Sequence, residues 1–103
     1  MHDKFQQYTE QIYSLFPVDD ITLIVLGLCS ESGELADLVK KNKLYGKEVS
    51  TEEYKKELAD VVWHFGQILH VMGFDLEDIT DTSLEKTQDK INSGLTKCST
   101  SKS

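Results

Sequence analysis

The chain has 103 residues, enough for one domain with a modest core. At 39% hydrophobic and 28% charged, its composition is that of a globular protein and excludes disorder of the body. A net charge of −7, from 18 acidic residues against 11 lysines and no arginine, argues against a general nucleic-acid binder, because neutralising phosphates needs a basic patch. The same charge still allows a polyphosphate when a divalent cation lies between it and the acids.

In chain order, the first pattern is helical: Phe5, Tyr8, Ile12 and Leu15 recur at spacings of three and four before Pro17, the only proline. Asp19 or Asp20 can cap a second helix running from about Ile21 to Leu44, with Gly46 as its stop. Ser50 and Glu53 have capping-box spacing and open a third helix that runs to Met72 and ends at Gly73. Asp75 can cap a fourth, with sparse apolar positions at Leu76, Ile79, Leu84 and Ile91. No hairpin signal or internal repeat is visible. The expectation is an all-α, four-helix-bundle-like fold with antiparallel helices, a single helical domain over residues 1–94 and a flexible polar tail over 95–103.

Cys29 and Cys98 form no CxxC motif and no cluster with histidine, so zinc and redox chemistry have little support and reduced thiols are expected. The first ten residues, MHDKFQQYTE, are polar and do not resemble a signal peptide. The apolar run from Ile21 to Cys29 is too short to cross a bilayer. A cytoplasmic protein without a membrane or nucleic-acid partner is expected.

Two carboxylate pairs stand out. The second helix carries Glu31-Ser-Gly-Glu34 and the third Glu57-Leu-Ala-Asp60. Residues three apart share a helix face, so each pair points one way. On a helical wheel Glu53, Glu57, Asp60 and His64 form one stripe, beside an apolar stripe of Tyr54, Leu58, Val61, Val62, Phe65 and Leu69. On the second helix Ile24, Gly27, Glu31, Glu34, Leu38 and Lys41 share a stripe. These acids therefore border apolar surface instead of lying opposite to it. Four carboxylates so placed repel one another and lose hydration, and a divalent cation is the natural compensation. All-oxygen ligands suit Mg²⁺, or Mn²⁺, over zinc. Either pair alone would ordinarily be a solvated surface feature; two pairs on adjacent helices make that reading harder to hold.

These segments, LGLCSESGELADLVKK at 26–41 and KKELADVVWHFGQIL at 55–69, resemble the MazG-like group of the all-α nucleoside triphosphate pyrophosphohydrolase superfamily. The signature is ExxE, a spacer and ExxD, and here the spacer is residues 35–56. The resemblance covers about residues 20–95. It weakens in the fourth helix, LEDITDTSLEKTQDKINSGL, where Lys86, Lys90 and Gly94 match but Ser83 replaces an Asn and Ile91-Asn92 replaces Tyr-Pro. The resemblance implies hydrolysis of a (d)NTP between the α- and β-phosphates to (d)NMP and pyrophosphate. Mg²⁺ would be held by Glu31, Glu34, Glu57 and Asp60, and Glu31 or Glu34 would accept the proton of the attacking water. Lys41, Lys86 and Lys90 would neutralise the departing pyrophosphate, and Ser83 would contact phosphate or sugar.

Other residues leave alternatives open. His64 is either a nucleotide contact or a half-buried polar group bonded to a neighbouring carboxylate. Asp37 is solvated or a secondary metal contact. Trp63 packs, at a subunit interface, or stacks on a base. Lys40 and Lys43 suit the negative end of a helix dipole. Because the first and last helices carry few apolar residues, a homodimer or homotetramer is expected to complete the core, as is usual in the family. Two rival functions use the same residues: a dUTPase-like or phosphoribosyl-ATP pyrophosphohydrolase relative, and a non-catalytic metal-binding helical interaction module.

Overall fold

In the computed structural model, residues 4–94 are described, and among them every regular element is a helix: α1 Lys4–Leu15, α2 Ile21–Tyr45, α3 Thr51–Met72 and α4 Leu76–Ser93. The all-α expectation holds, and each helix lies within a residue or two of its expected bounds. His2, Cys98 and the tail at 95–103 lie outside the described residues. Chain contacts divide the protein after Gly73 into two units, Met1–Gly73 and Phe74–Ser103.

The helix ends are set by local chemistry. Asp20, the second of the two candidate caps, accepts from the backbone N–H groups of Thr22 and Leu23 at 3.0 and 3.4 Å. Ser50 and Glu53 form the reciprocal capping box: Ser50 Oγ accepts from the Glu53 N–H at 3.1 Å, and a Glu53 carboxylate oxygen accepts from the Ser50 N–H at 3.1 Å. Glu53 is thereby held at the head of α3, a turn away from the other acids of its stripe. Gly46 ends α2 in the left-handed region, at φ 67°, which a side-chain-bearing residue adopts only at a cost.

In the first unit α3 packs against both α1 and α2. The pairing with α2 is antiparallel: Glu31 meets Glu57 and Asp60, while Gly27, one turn earlier on α2, meets His64, one turn later on α3. α1 packs against α3 at Gly66, where a Cβ would stand 3.0 Å from Thr9 Cγ2. Phe5–Phe65 and Tyr13–His70 ring contacts flank that crossing.

The face of α3 turned inward differs from the sequence expectation. Gly66, Gln67 and Leu69 are the buried residues of α3, whereas Leu58 and Val62, from the apolar stripe, are 51% and 38% exposed. The stripe of Glu57, Asp60 and His64 is the one that faces α2. The acids lie in the helix–helix seam itself, and part of the apolar stripe looks outward.

α4 forms the described part of the second unit. It is capped by Asp75, which accepts from the Asp78 N–H at 2.9 Å, and stopped at Gly94. No residue of α4 is buried, and Leu84 and Ile91 are open to solvent.

Candidate metal and nucleotide site

Antiparallel pairing of α2 and α3 brings Glu31, Glu57 and Asp60 together, each offering a carboxylate oxygen within 4.8 Å of the others. Glu31 and Glu57 are half-buried and Asp60 is exposed. Glu34, the fourth expected ligand, is exposed and outside this triplet, though its charge is felt at Glu57. One turn of α2 separates Glu31 from Glu34, so the two share a direction while Glu31 alone enters the seam.

Glu57 is the strained member. Its Oε1 is shut off from solvent and has no hydrogen-bond partner. Loss of hydration, then the charge of Glu34, then the side chain and charge of Glu31, then the charge of Asp60, hold its carboxyl above the ordinary range. A carboxylate oxygen without hydrogen or cation partner, facing two more carboxylates, is a cost that needs a compensating positive charge. No lysine supplies it from α2: Lys41 reaches Asp37 at 3.3 Å and Lys40 the same carboxylate at 3.8 Å. Asp37 is thus an ion-pair partner of the lysines, one turn beyond Glu34. The donor set, three clustered carboxylates with an orphaned oxygen, fits a hard divalent cation in charge, chemistry and spacing.

His64 continues the same stripe. Its Nδ1 lies 2.9 Å from the backbone carbonyl of Asp60, so the neighbouring acid that it bonds contributes its main chain and not its carboxylate. Acting as the donor to that carbonyl, Nδ1 carries the proton and leaves Nε2 as the acceptor in the neutral ring. The ring stands against Gly27, where any Cβ would overlap it. That glycine admits the imidazole into the seam.

Beyond His64 the surroundings turn apolar. Phe16, Val18, Leu23, Ile24, Trp63 and His64 line a pocket of about 240 Å³. Trp63 meets Phe16 with ring centroids 5.8 Å apart and His64 edge-on at 4.9 Å. Trp63 therefore both packs and faces open space.

Of the residues expected on the fourth helix, Ser83, Lys86 and Lys90 line one shallow concavity on α4 with Ile79, Thr82 and Thr87. They share a face, as their spacing requires, within the second unit.

Sequence reasoning passed over Gln67. It is completely buried, and neither its amide nitrogen nor its oxygen has a partner. The available signal was its place three residues after His64, a polar residue continuing a stripe that already held four.

Among the described residues no helix is long and apolar enough to cross a membrane. The sequence profile of the MazG nucleotide pyrophosphohydrolase domain matches residues 20–93, from the N-cap of α2 to the end of α4. The Gene 37 protein of Mycobacterium phage L5 is 26% identical over 106 residues, covering 92% of this chain and 93% of that protein. No solved structure gives a significant match.

Proposed function

Because the chain belongs to the MazG nucleotide pyrophosphohydrolase domain family, we propose that it is a Mg²⁺-dependent enzyme that cleaves a (d)NTP between the α- and β-phosphates, giving (d)NMP and pyrophosphate. The observation that carries the proposal is the meeting of Glu31, Glu57 and Asp60 across the α2–α3 seam, with the Glu57 oxygen left unpaired.

In this reading Glu31, Glu57 and Asp60 would hold the cation, with Glu34 as the fourth carboxylate. Mg²⁺, or Mn²⁺ in its place, supplies Lewis-acid polarisation of the α-phosphoryl group and offsets the charge of the polyphosphate. Water attacks the α-phosphorus in line, the bond to the bridging oxygen of the β-phosphate breaks, and pyrophosphate leaves with that oxygen. Glu31 or Glu34 accepts the proton that the water gives up. His64 stands at the inner end of the acids, and the apolar pocket beside it suits the nucleoside. Lys41 is a phosphate contact once it leaves Asp37; exposed ion pairs of this kind are worth only about 0–1 kcal/mol, so the exchange is cheap. Ser83, Lys86 and Lys90 present hydroxyl and ammonium groups on one face of α4, a chemistry suited to phosphate oxygens.

Assembly is part of the proposal. Leu23 and Leu26 on α2 and Leu58 on α3 are each more than half exposed. A homodimer, or a homotetramer built from it, would cover such surface.

The test is release of pyrophosphate from each of the eight common NTPs and dNTPs with Mg²⁺, run beside a Glu34→Ala/Asp60→Ala double variant. Monophosphate and pyrophosphate in equal amounts from the wild type, reduced by ~100-fold or more in the variant, is the expected result. A folded wild type that binds Mg²⁺ and releases nothing from any of them would sink the proposal.

A further inference from the structure

The bridge from α1 to α2 is the segment Phe16 to Asp20, and two of its residues, Phe16 and Val18, line the pocket beside Trp63 and His64. Phe16 is 59% exposed, so burial alone does not hold it there. A connection without regular structure leaves such walls free to move, and ordering them on binding costs affinity. Pro17 stiffens only its own φ. The bridge is instead fastened to its neighbours. The Phe16 N–H donates to the Ile12 carbonyl at 2.8 Å, which carries the helical pattern of α1 one residue further. The Tyr13 hydroxyl donates to the Asp19 carboxylate, whose two oxygens lie 2.8 and 3.0 Å away.

Two aspartates stand side by side before α2 and do different things. Asp20 caps the helix, and Asp19 is engaged by the phenol. The phenol is itself anchored, because the Tyr13 ring lies on His70 of α3 with centroids 4.4 Å apart. His70 follows Trp63 by seven residues, two turns along the same face of α3. Phe16 meets Trp63 at 5.8 Å. α3 thus carries the ring of Tyr13 on His70 and the ring of Phe16 on Trp63, and the Tyr13–Asp19 bond fixes the bridge that follows. Hydrogen bonding to Asp19, then loss of hydration, then the charge of Asp19 hold the phenol above its ordinary pKa range, as befits a hydroxyl that keeps its proton as a donor.

We propose that Tyr13 is a positioning residue for the nucleoside: through its hydrogen bond to Asp19 it holds the Phe16–Asp20 bridge so that Phe16 and Val18 stand as walls of the pocket alongside Trp63 and His64. The inference rests on the nucleotide reading above. Tyr13 does not line the pocket; it acts by keeping two of the walls ordered before the nucleoside arrives, so that less order has to be imposed on binding.

The test compares Tyr13→Phe, which keeps the ring on His70 and removes the hydroxyl, with Asp19→Ala, Asp19→Asn and the Tyr13→Phe/Asp19→Ala double variant. kcat and KM are measured on the eight-nucleotide panel. Affinity for inorganic tripolyphosphate with Mg²⁺ reads the charged end alone, since that probe has no nucleoside. Trp63 is the only tryptophan, so quenching of its fluorescence by acrylamide reads the order of the wall that Phe16 forms. In Tyr13→Phe, KM is expected to rise ~3–10-fold with kcat and tripolyphosphate affinity kept, and Trp63 to become easier to quench. Asp19→Ala gives the same result from the other partner, the double variant is no worse than either single one, and Asp19→Asn, which still offers an acceptor, stays near the wild type. A lowered melting temperature with KM and quenching unchanged, or effects of the two single variants that add in the double variant, overturns this inference alone. A wild type that neither hydrolyses nor binds any of the eight nucleotides overturns the functional reading and the inference with it.

Discussion

At one end of the α2–α3 seam three carboxylates meet, one of them, that of Glu57, with an unpaired oxygen; at the other, Ile24 and Trp63 help to line an apolar pocket. His64, on the stripe that carries Glu57 and Asp60, also lines the pocket and so divides the two ends. The charged end is not arranged for stability. It lacks positive charge, which a divalent cation would provide. The apolar end is open space walled by aromatic and aliphatic side chains. Along α3 the surroundings thus pass, in about two turns, from carboxylates to apolar walls.

The largest expected break of this comparison is at the divider. In Gly27→Ala the new methyl overlaps the His64 ring, so either the imidazole leaves the seam or α2 and α3 move apart. A loss of ~1–3 kcal/mol is expected by overpacking. Urea unfolding checks the stability, and a simultaneous fall in Mg²⁺ affinity and nucleotide turnover shows that the two ends share the divider. A variant of full stability and activity would mean that the seam tolerates the methyl.

The charged end alone is isolated by Glu57→Gln. The wild-type carboxyl titrates above the usual 4.5, so the native state binds its proton more tightly than the unfolded chain does. That contribution to stability is complete below the unfolded value and disappears as pH rises through the native one. In EDTA, the wild-type melting temperature is expected to fall over that interval relative to Glu57→Gln, which lacks the titration. With Mg²⁺ the order reverses at neutral pH: the wild type gains from cation binding and the variant gains less. Calorimetry across pH with and without Mg²⁺ reads both effects, and parallel curves would show that Glu57 is not the strained member.

The smallest effect is a control far from both ends. Ser50→Ala removes the cap of α3 and is expected to cost ~1 kcal/mol. Because Ser50 touches neither end of the seam, KM and Mg²⁺ affinity are expected to stay as in the wild type, as measured under conditions where the variant is folded.

The helices were legible because their start and stop signals are local. Asp20, Ser50, Asp75 and the three terminal glycines act within a turn of where they stand. The acidic pairs were legible for the same reason, since i, i+3 spacing fixes a common direction before any packing is known. What packing decides was harder. Glu34 and Glu31 are equivalent on a wheel, and only the crossing of α2 and α3 separates the one in the seam from the one on its rim. The apolar stripe with Leu58 and Val62 read as the inward face, yet Gln67 is buried and those two are exposed. Hydrophobicity marks surface to be covered without naming the cover. Lys41 was legible as a cation, but not its partner Asp37, because an i, i+4 lysine can turn either toward its own helix or toward a ligand.

The turn from Gly46 to Ser50 does more than reverse the chain. A left-handed glycine closes one helix and a reciprocal capping box opens the next, and both are contacts among near neighbours in sequence. Such contacts form on the microsecond scale of helix–coil relaxation and hairpin closure, ahead of anything requiring distant chain segments. All the clustered acids lie within residues 31–60, on either side of that turn. The turn can therefore form early in folding, while the rest of the chain is still searching, and the helices that carry the acids grow outward from it.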